Sequence, residues 1–279
     1  MIKQTLIKIL PRPLVSTISR VIRYGASDLV DAVTGRRDPL IPPKSLIFIG
    51  GPLFKEIGDE QLRIFREVGG LTPDDAVLDV GCGIGRSARP LTAFLSPQGS
   101  YQGFDIDAGG IKWCVKNITP RFPRFHFQVA DVYNKYYNPK GRSKGPEYVF
   151  PYADASFDFV FLTSVFTHML PAEVDNYLGQ IARVLKPGGR ALISYFLWNA
   201  ESAALQAKGG GNIGFPYTFG NYRVRDKDFP EDAICFDEDF IQSLNSKHGL
   251  SLAPPVRYGT WCGRENALSY QDFVLVKKP

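Results

Sequence analysis

Apolar and polar residues follow two alternating patterns from residue 55 onward. Short apolar runs, typical of buried strands, are followed by stretches in which apolar residues recur every three or four positions, as on one face of a helix. Strands that alternate with helices predict a parallel sheet with helices on both faces. The predicted strands are 76–80, 101–104, 125–129, 157–162 and 191–196, and the predicted helices are 55–68, 87–95, 111–118 and 172–185.

The first 45 residues form a separate region, an arm with a linker. Apolar spacing between Leu14 and Val33 predicts a helix, and Gly35 and Pro39 end it. Residues 1–37 hold seven basic and two acidic residues, a net +5 that equals the net charge of the whole chain. Three hypotheses stay open for this arm: a helix packed on the domain or a partner subunit, a helix on an anionic membrane surface, or disorder.

The pattern is weaker after residue 196. A stretch rich in glycine and aromatic residues predicts an irregular loop over 199–233, and Asp237 is the expected N-cap of a helix that reaches residue 248. Two closing strands, 256–261 and 272–276, are expected to be antiparallel to one another. We therefore predict one α/β domain over 46–279, with a ligand-binding core at about 70–196.

Composition changes this picture little but excludes several classes of protein. Hydrophobic residues make up 44% of the chain and charged residues 22%, which are ordinary values for a globular protein. The four cysteines are far apart and form no C-x-x-C pair, so we predict free thiols in the cytoplasm and no metal site. No apolar run is long enough to span a membrane. Outside the arm the charges balance, which argues against a nucleic acid partner.

The sharpest chemical signal is the glycine-rich run VLDVGCGIG at 77–85. It follows a predicted strand and opens a predicted helix, where glycine allows a tight turn and close approach by a ligand. Arg86 stands where the dinucleotide fingerprint has its third glycine. The spacing thus favours a nucleoside ligand without a pyrophosphate over a nicotinamide dinucleotide.

Acidic residues stand at the ends of the next two strands. Asp105 ends the second strand, where a carboxylate is placed to accept the hydroxyls of a ribose. Asp131 follows the third strand, where it is placed to accept a hydrogen bond from an adenine amino group. With Asp79 they converge on one crevice, because the carboxyl ends of parallel strands share one edge. The alternative for each is a solvated carboxylate at a strand end.

These motifs resemble those of the class I S-adenosylmethionine-dependent methyltransferases. The resemblance rests on VLDVGCGIGR (77–86), YQGFDID (101–107), FPYADASFDFVFLTSVFTHM (150–169) and IARVLKPGGRALIS (181–194). It implies a seven-stranded sheet whose last strand is antiparallel, and S-adenosyl-L-methionine as cofactor. It also implies that Asp79, Gly81, Cys82 and Gly83 face the methionine part, that Asp105 holds the ribose, that Ile106, Asp131 and Val132 surround the adenine, and that Thr163 passes beneath the cofactor.

Methyl transfer is an in-line displacement whose leaving group becomes neutral, so it needs no general acid. Orientation alone can supply up to about 7–11 kcal/mol, and a hydroxyl acceptor also benefits from a base. His168 is the candidate base because it follows the fourth strand, although it equally suits a packing role at a helix start. We expect transfer to oxygen or nitrogen of a small-molecule, sugar-linked or lipid-linked acceptor.

Two other functions stay open. A nicotinamide-dependent oxidoreductase shares the strand, glycine turn and helix but requires the missing third glycine. A non-catalytic scaffold that binds S-adenosylmethionine predicts a damaged site, and the motifs show no damage. Methylation of a nucleic acid base is disfavoured because LTSVFT at 162–167 lacks the Asn/Asp-Pro-Pro-Tyr/Phe motif of those enzymes. The sequence fixes neither the acceptor nor the oligomeric state.

Overall fold

The computed structural model describes residues 12–47, 51–135 and 138–279. At 12–18 and at Pro52 it describes the backbone but not the side chains. A central sheet of seven strands has the order β10-β11-β5-β4-β1-β2-β3, and a smaller sheet has the order β6-β9-β8-β7. The strands are β1 (Ala76–Val80), β2 (Ser100–Asp105), β3 (Phe125–Val129), β4 (Phe157–Leu162), β5 (Leu185–Tyr195), β6 (Leu197–Trp198), β7 (Tyr217–Phe219), β8 (Tyr222–Val224), β9 (Ile234–Asp237), β10 (Ser251–Leu252) and β11 (Asp272–Lys277).

Strand pairing confirms the predicted fold class. Strands β1 to β5 are parallel to one another, whereas β11 runs antiparallel to its neighbours β5 and β10. Helices pack on both faces of the sheet. The helices of the described residues are α1 (Arg12–Thr34), α2 (Phe54–Glu67), α3 (Ala88–Phe94), α4 (Ala108–Asn117), α5 (Pro171–Val184), α6 (Ala200–Ala207) and α7 (Glu238–Lys247).

Alternating residues of the central strands build a core on each face, as the twofold period of a strand requires. Leu78 of β1 packs in the core that contains Leu178 and Ile181 of α5. Its neighbour Val77 points the other way, into the core that contains Phe65 of α2 and Ile111 of α4. Strands β1 and β4 are therefore apolar on both faces except at Asp79 and Asp158, which is why the sequence predicted them well.

The prediction of an irregular loop over 199–233 is wrong. Asn199 caps α6, its side chain accepting the N–H of Ser202 at 2.9 Å, and the hairpin β7–β8 extends the small sheet. Gly220, with φ at +61°, lies between the two hairpin strands. Elements of two to four residues are too short to show a hydrophobic period, so the pattern missed them.

Three predictions near the C-terminal half need correction. No strand forms over 256–261; Arg257 makes a single bridge to Phe273, and β10 supplies the neighbour of β11 instead. Asp237 precedes α7 but makes no side-chain cap, because its carboxylate pairs with Arg223. The strand predicted at 191–196 begins earlier, at Leu185, so residues 186–189 lie inside β5, where the pairing with β4 shifts register between Phe157 and Phe159.

The predicted helix of the arm is present as α1. Residues 1–11 lie outside the part of the chain that the structure describes. The Asp28 carboxylate ties α1 to the linker by accepting the N–H groups of Lys44 at 2.7 Å and Ser45 at 2.9 Å. The opposite side of α1 exposes Ile22, Leu29 and Val33. Among the described helices, none is both long and apolar enough to cross a membrane.

Candidate active site

A cleft opens at the carboxyl ends of β1, β2 and β4 and has a volume of about 1200 Å³, including its open mouth. Strand β1 lies between β4 and β2, and the strand order reverses there, because the chain runs from β1 to β2 and β3 on one side and then crosses to β4 and β5 on the other. Ligands of open α/β sheets bind at such a switch point. Four segments line the cleft: 80–87, 104–107, 132–134 and 163–169, with Phe54, Glu173 and Tyr177 completing the wall.

The turn after β1 depends on glycine for two different reasons. At Gly81, φ is +82° and a Cβ atom would collide with Cγ2 of Val165. At Gly83, φ is +55° and a Cβ would meet no atom within 4 Å. Gly83 therefore leaves bare backbone facing open space, which suits close approach by a ligand.

Asp105 holds this turn in place. Its Oδ2 accepts the N–H of Gly83 at 2.7 Å and its Oδ1 accepts the N–H of Asp107 at 2.8 Å. A carboxylate has about four lone-pair sites, so both oxygens can accept further hydrogen bonds from a ligand. Burial raises the pKa of this carboxyl group above its ordinary value. Ile106 lies beside it on the cleft wall.

Asp79 lies behind the turn and is absent from the cleft wall. It is fully buried and accepts a hydrogen bond of 2.7 Å from the Tyr101 hydroxyl. Burial raises the pKa of Asp79 to about 8.

Arg86 does line the cleft, and its buried Nε has no hydrogen-bond partner. Burial lowers the pKa of Arg86, and the nearby Asp79 carboxylate opposes that shift. A cation that is partly desolvated and incompletely paired is a candidate for an anionic group of a ligand. The sequence carries a signal for this role, because a basic residue directly follows the glycine turn.

Cys82 lines the cleft with its thiol buried. Burial raises the pKa of this thiol well above its ordinary value. A neutral thiol is a poor nucleophile, so Cys82 contributes shape rather than covalent chemistry.

The surroundings of Asp131, just after β3, differ from the predicted contact with a ligand. Its carboxylate accepts the N–H of Arg142 at 3.2 Å and pairs with the Arg142 guanidinium, and it does not line the cleft. The next residue, Val132, is buried on the cleft wall. The expected contacts of Asp131 and Val132 with adenine both stay predictions.

Thr163 and His168 line the opposite wall, beyond β4. The Nδ1 of His168 lies 2.9 Å from the carbonyl oxygen of Glu231. A carbonyl only accepts, so in the neutral ring Nδ1 carries the proton and Nε2 is the nitrogen able to take one up. Glu231 belongs to a 3₁₀ turn, Pro230–Asp232, next to the small sheet that the sequence did not predict.

Glu173 and Tyr177, both on α5, were also missed. Glu173 accepts the N–H of Leu170 at 2.7 Å, and burial raises the pKa of its carboxyl group. With Met169 they give the wall near His168 a mostly apolar surface and one acidic side chain. Helical spacing on α5 predicted burial correctly but could not show that part of the buried face adjoins a cleft.

Comparison with known proteins agrees with this geometry. Residues 77–189 match a family of methyltransferase domains. An O-methyltransferase of Penicillium expansum is 32% identical over 143 residues, which are 50% of this chain and 44% of that protein. A phthiotriol/phenolphthiotriol dimycocerosates methyltransferase of Mycobacterium tuberculosis is 35% identical over 131 residues, 47% of this chain and 41% of that protein. The matched region thus spans less than half the length of these relatives.

Solved structures share the fold. A Pyrococcus horikoshii protein superimposes with a TM-score of 0.56 at 16% identity, over 84% of this chain and 95% of that chain. A SAM-dependent methyltransferase from Aquifex aeolicus gives 0.52 at 16% identity, over 86% and 100%. The motifs, the family match over residues 77–189 and the sheet topology agree with the resemblance: the chain contains a methyltransferase domain over those residues and has the fold of the class I S-adenosylmethionine-dependent methyltransferases.

Proposed function

We propose that this protein transfers a methyl group from S-adenosylmethionine to a hydroxyl oxygen of a small-molecule or lipid acceptor. The observation that carries the proposal is the placement of a bare glycine turn with Asp105 on one wall of the cleft and His168 on the other. The first wall supports cofactor binding, and the second supports removal of a proton from an acceptor.

The residues present fit the cofactor. Gly83 leaves room for its methionine part, and Arg86 supplies a partly unpaired cation for the carboxylate of that part. Asp105 would accept the ribose hydroxyls, and Ile106 and Val132 would pack on the adenine. Asp131 would reach the adenine amino group after releasing Arg142, and solvent-exposed ion pairs of this kind contribute little to stability.

The bound cofactor supplies an activated methyl group on a sulfonium that leaves as a neutral thioether. The chain supplies a base: His168 Nε2 takes the proton of the acceptor hydroxyl as the oxygen–carbon bond forms. The Glu231 carbonyl holds the opposite N–H and stabilises the imidazolium that results. An amine acceptor would need this base less, so the orientation of His168 favours oxygen over nitrogen.

The apolar wall formed by Met169 and Tyr177 suits an acceptor with an apolar body, and the two curated relatives described above support small-molecule or lipid acceptors by their names. The test is a screen for release of S-adenosylhomocysteine with phenols, long-chain alcohols, glycolipids and, as the nitrogen alternative, phosphoethanolamine. Turnover confined to hydroxyl acceptors would support the proposal. Turnover confined to amines would contradict it.

We also propose that the arm contacts an anionic membrane surface from the cytoplasmic side. Ile22, Leu29 and Val33 are 78%, 66% and 80% exposed on one side of α1, and residues 1–37 carry the chain's net positive charge. The four free cysteines support a reducing compartment.

The arm is tested by co-sedimentation with vesicles that contain phosphatidylserine. Leu29→Asp should abolish binding, whereas Val115→Asp, a matched change at an exposed apolar residue of α4, should leave it intact. Equal binding to neutral vesicles, or no binding by the full chain, would contradict this role.

A further inference from the structure

Ser164 adopts an unusual backbone conformation on the wall of the cleft. Its φ is +60°, in the left-handed region that non-glycine residues avoid. Of the three non-glycine residues with positive φ in the described ranges, Ser164 is the one that lines the cleft. Such a conformation persists only where the surroundings hold it, and it is often found at functional sites.

Two side chains behind the wall hold this conformation. The N–H of Ser164 donates to Oγ of Ser194 at 2.8 Å, and the Ser164 hydroxyl donates to Oε1 of Gln271 at 3.0 Å. Ser194 is fully buried on β5 and donates its own hydroxyl to the same Gln271 oxygen at 2.7 Å. The three residues form a closed network between the cleft wall and the outer strands of the sheet.

Gln271 is itself fixed by its neighbour. Asp272 begins β11, is fully buried, and accepts the N–H of Leu197 at 2.7 Å, the N–H of Gly259 at 2.6 Å and the indole N–H of Trp261 at 2.8 Å. The network therefore ends on a rigid part of the sheet, which can support a strained bend.

The bend at Ser164 sets the position of Val165, which contacts residues on both sides of the cleft. The next residue, Val165, packs so closely on Gly81 that the glycine turn has no room for a Cβ. The carbonyl oxygen of Val165 also accepts the N–H of His168 at 2.9 Å, which starts the 3₁₀ turn that carries the imidazole. A change in the backbone at Ser164 would move Val165 and with it the turn of His168.

We infer that Ser194 and Gln271 are positioning residues: they hold Ser164 in its left-handed conformation and thereby fix the His168 turn against the glycine turn. Neither side chain lines the cleft. The inference rests on the proposed role of His168 as the base, but its structural part can be tested without an acceptor.

The test uses the ring nitrogens of histidine in the full chain labelled with ¹⁵N-histidine, in mildly alkaline buffer. The chain has three histidines, so His126 and His248 serve as internal references. Ser194→Ala should shift or broaden the His168 signals, because the Nδ1 bond to Glu231 depends on the turn, and should leave the reference signals in place. Ser202→Ala, an equally buried serine outside the network, should leave all three in place.

Rescue separates this role from simple packing. Glycine adopts a positive φ without a Cβ penalty, so Ser164→Gly should make the network dispensable, and the His168 signals of Ser164→Gly/Ser194→Ala should match those of Ser164→Gly alone. Unchanged His168 signals in Ser194→Ala, or equal perturbation in both backgrounds, would overturn the inference.

If Ser194→Ala does not fold, Gln271→Ala takes its place with the same expectations. Calorimetry with S-adenosylhomocysteine on the same samples reports failure of the cofactor proposal separately.

Discussion

Arg86 is the residue at which folding and ligand binding conflict most directly. Its Nε is buried without a partner, an arrangement that costs free energy in the unliganded protein. The cost is offset if a ligand carboxylate completes the hydrogen bonds of the guanidinium. Residues whose local environment is unsatisfied are expected at functional sites, and the same reasoning explains why sequence patterns did not identify Arg86 as a binding residue.

We predict that Arg86→Met weakens binding of S-adenosylmethionine by roughly tenfold to a hundredfold. The reason is the loss of a charge-assisted hydrogen bond worth about 1.5–3 kcal/mol. Arg89→Met is the matched control, because the Nε of Arg89 is also buried without a partner but its guanidinium pairs with Asp59 outside the cleft. Calorimetry on both variants decides the matter, and an equal effect of the two changes would remove Arg86 from the binding site.

His168 is the residue on which the proposed chemistry depends. We expect His168→Ala to lower turnover of a hydroxyl acceptor about a hundredfold, within the usual range for loss of a general base, with little change in cofactor affinity. The control is His126→Ala on β3, which is exposed and outside the cleft. Turnover within a few-fold of the parent enzyme would mean that His168 only packs against the 230–232 turn.

Sequence reasoning located individual residues where one motif specifies both position and chemistry. Asp105 and Gly83 lie where the strand-end and glycine patterns placed them. The partner of His168 could not be found in this way, because the Glu231 carbonyl is 63 positions away and any residue type offers a carbonyl. Asp131 shows another limit of sequence reasoning. Its position just after β3 was predicted correctly, but the sequence pattern does not show that its carboxylate pairs with Arg142.

At the scale of elements, the turn between β1 and α3 contains two glycines with different roles. Gly81 is needed for the stability of the fold, and Gly83 is needed for binding of the cofactor. Gly83→Ala should preserve the fold at a cost of about 1–2 kcal/mol for its positive φ and strongly weaken cofactor binding, because the new methyl group projects into the cleft. Gly81→Ala should destabilise the protein by more, since a collision with Val165 adds about 1–3 kcal/mol of overpacking. Urea unfolding and calorimetry on both variants test this contrast. If Gly83→Ala binds the cofactor as the parent does, the turn is not the binding surface.

Elements were predictable in proportion to their length and burial. Strand β4 matches the predicted 157–162, because an apolar run between turn residues has few alternatives. The start of β5 at Leu185 was missed, since proline and two glycines at 187–189 are not typical of a strand; they belong to β5 only because β4 pairs on both sides of them, with Leu185 and with Arg190. The region 256–261 has strand-like composition, but the Gly259 N–H donates to the Asp272 carboxylate instead of a neighbouring strand, and only the bridge between Arg257 and Phe273 forms.

For the whole molecule, buried acids make stability depend on pH in a defined direction. Burial raises the pKa of Asp79 to about 8 and that of Asp272 to about 6, whereas an unfolded aspartate titrates near 3.9. Between these limits the folded state holds protons that the unfolded state has released, so the free energy of unfolding falls as pH rises from about 4 to 8. Carboxylates with lowered pKa, such as Asp158 and Asp175, act in the opposite sense but below about pH 4.

The prediction is that Asp79→Asn flattens the fall in unfolding free energy between about pH 6 and 8, because an amide does not titrate. Urea unfolding of parent and variant across that range measures it. Slopes that are the same in both proteins would show that Asp79 is ionised when folded.

The central claim, that this cleft is an S-adenosylmethionine site, is tested most directly by isothermal titration calorimetry of the full chain. We predict one S-adenosylmethionine bound per chain and at least roughly tenfold weaker binding by Asp105→Ala, through loss of charge-assisted hydrogen bonds worth about 1.5–3 kcal/mol. NADH should not compete, because Arg86 replaces the third glycine of the dinucleotide fingerprint. Tight binding of NADH by a folded chain that does not bind S-adenosylmethionine would contradict the assignment.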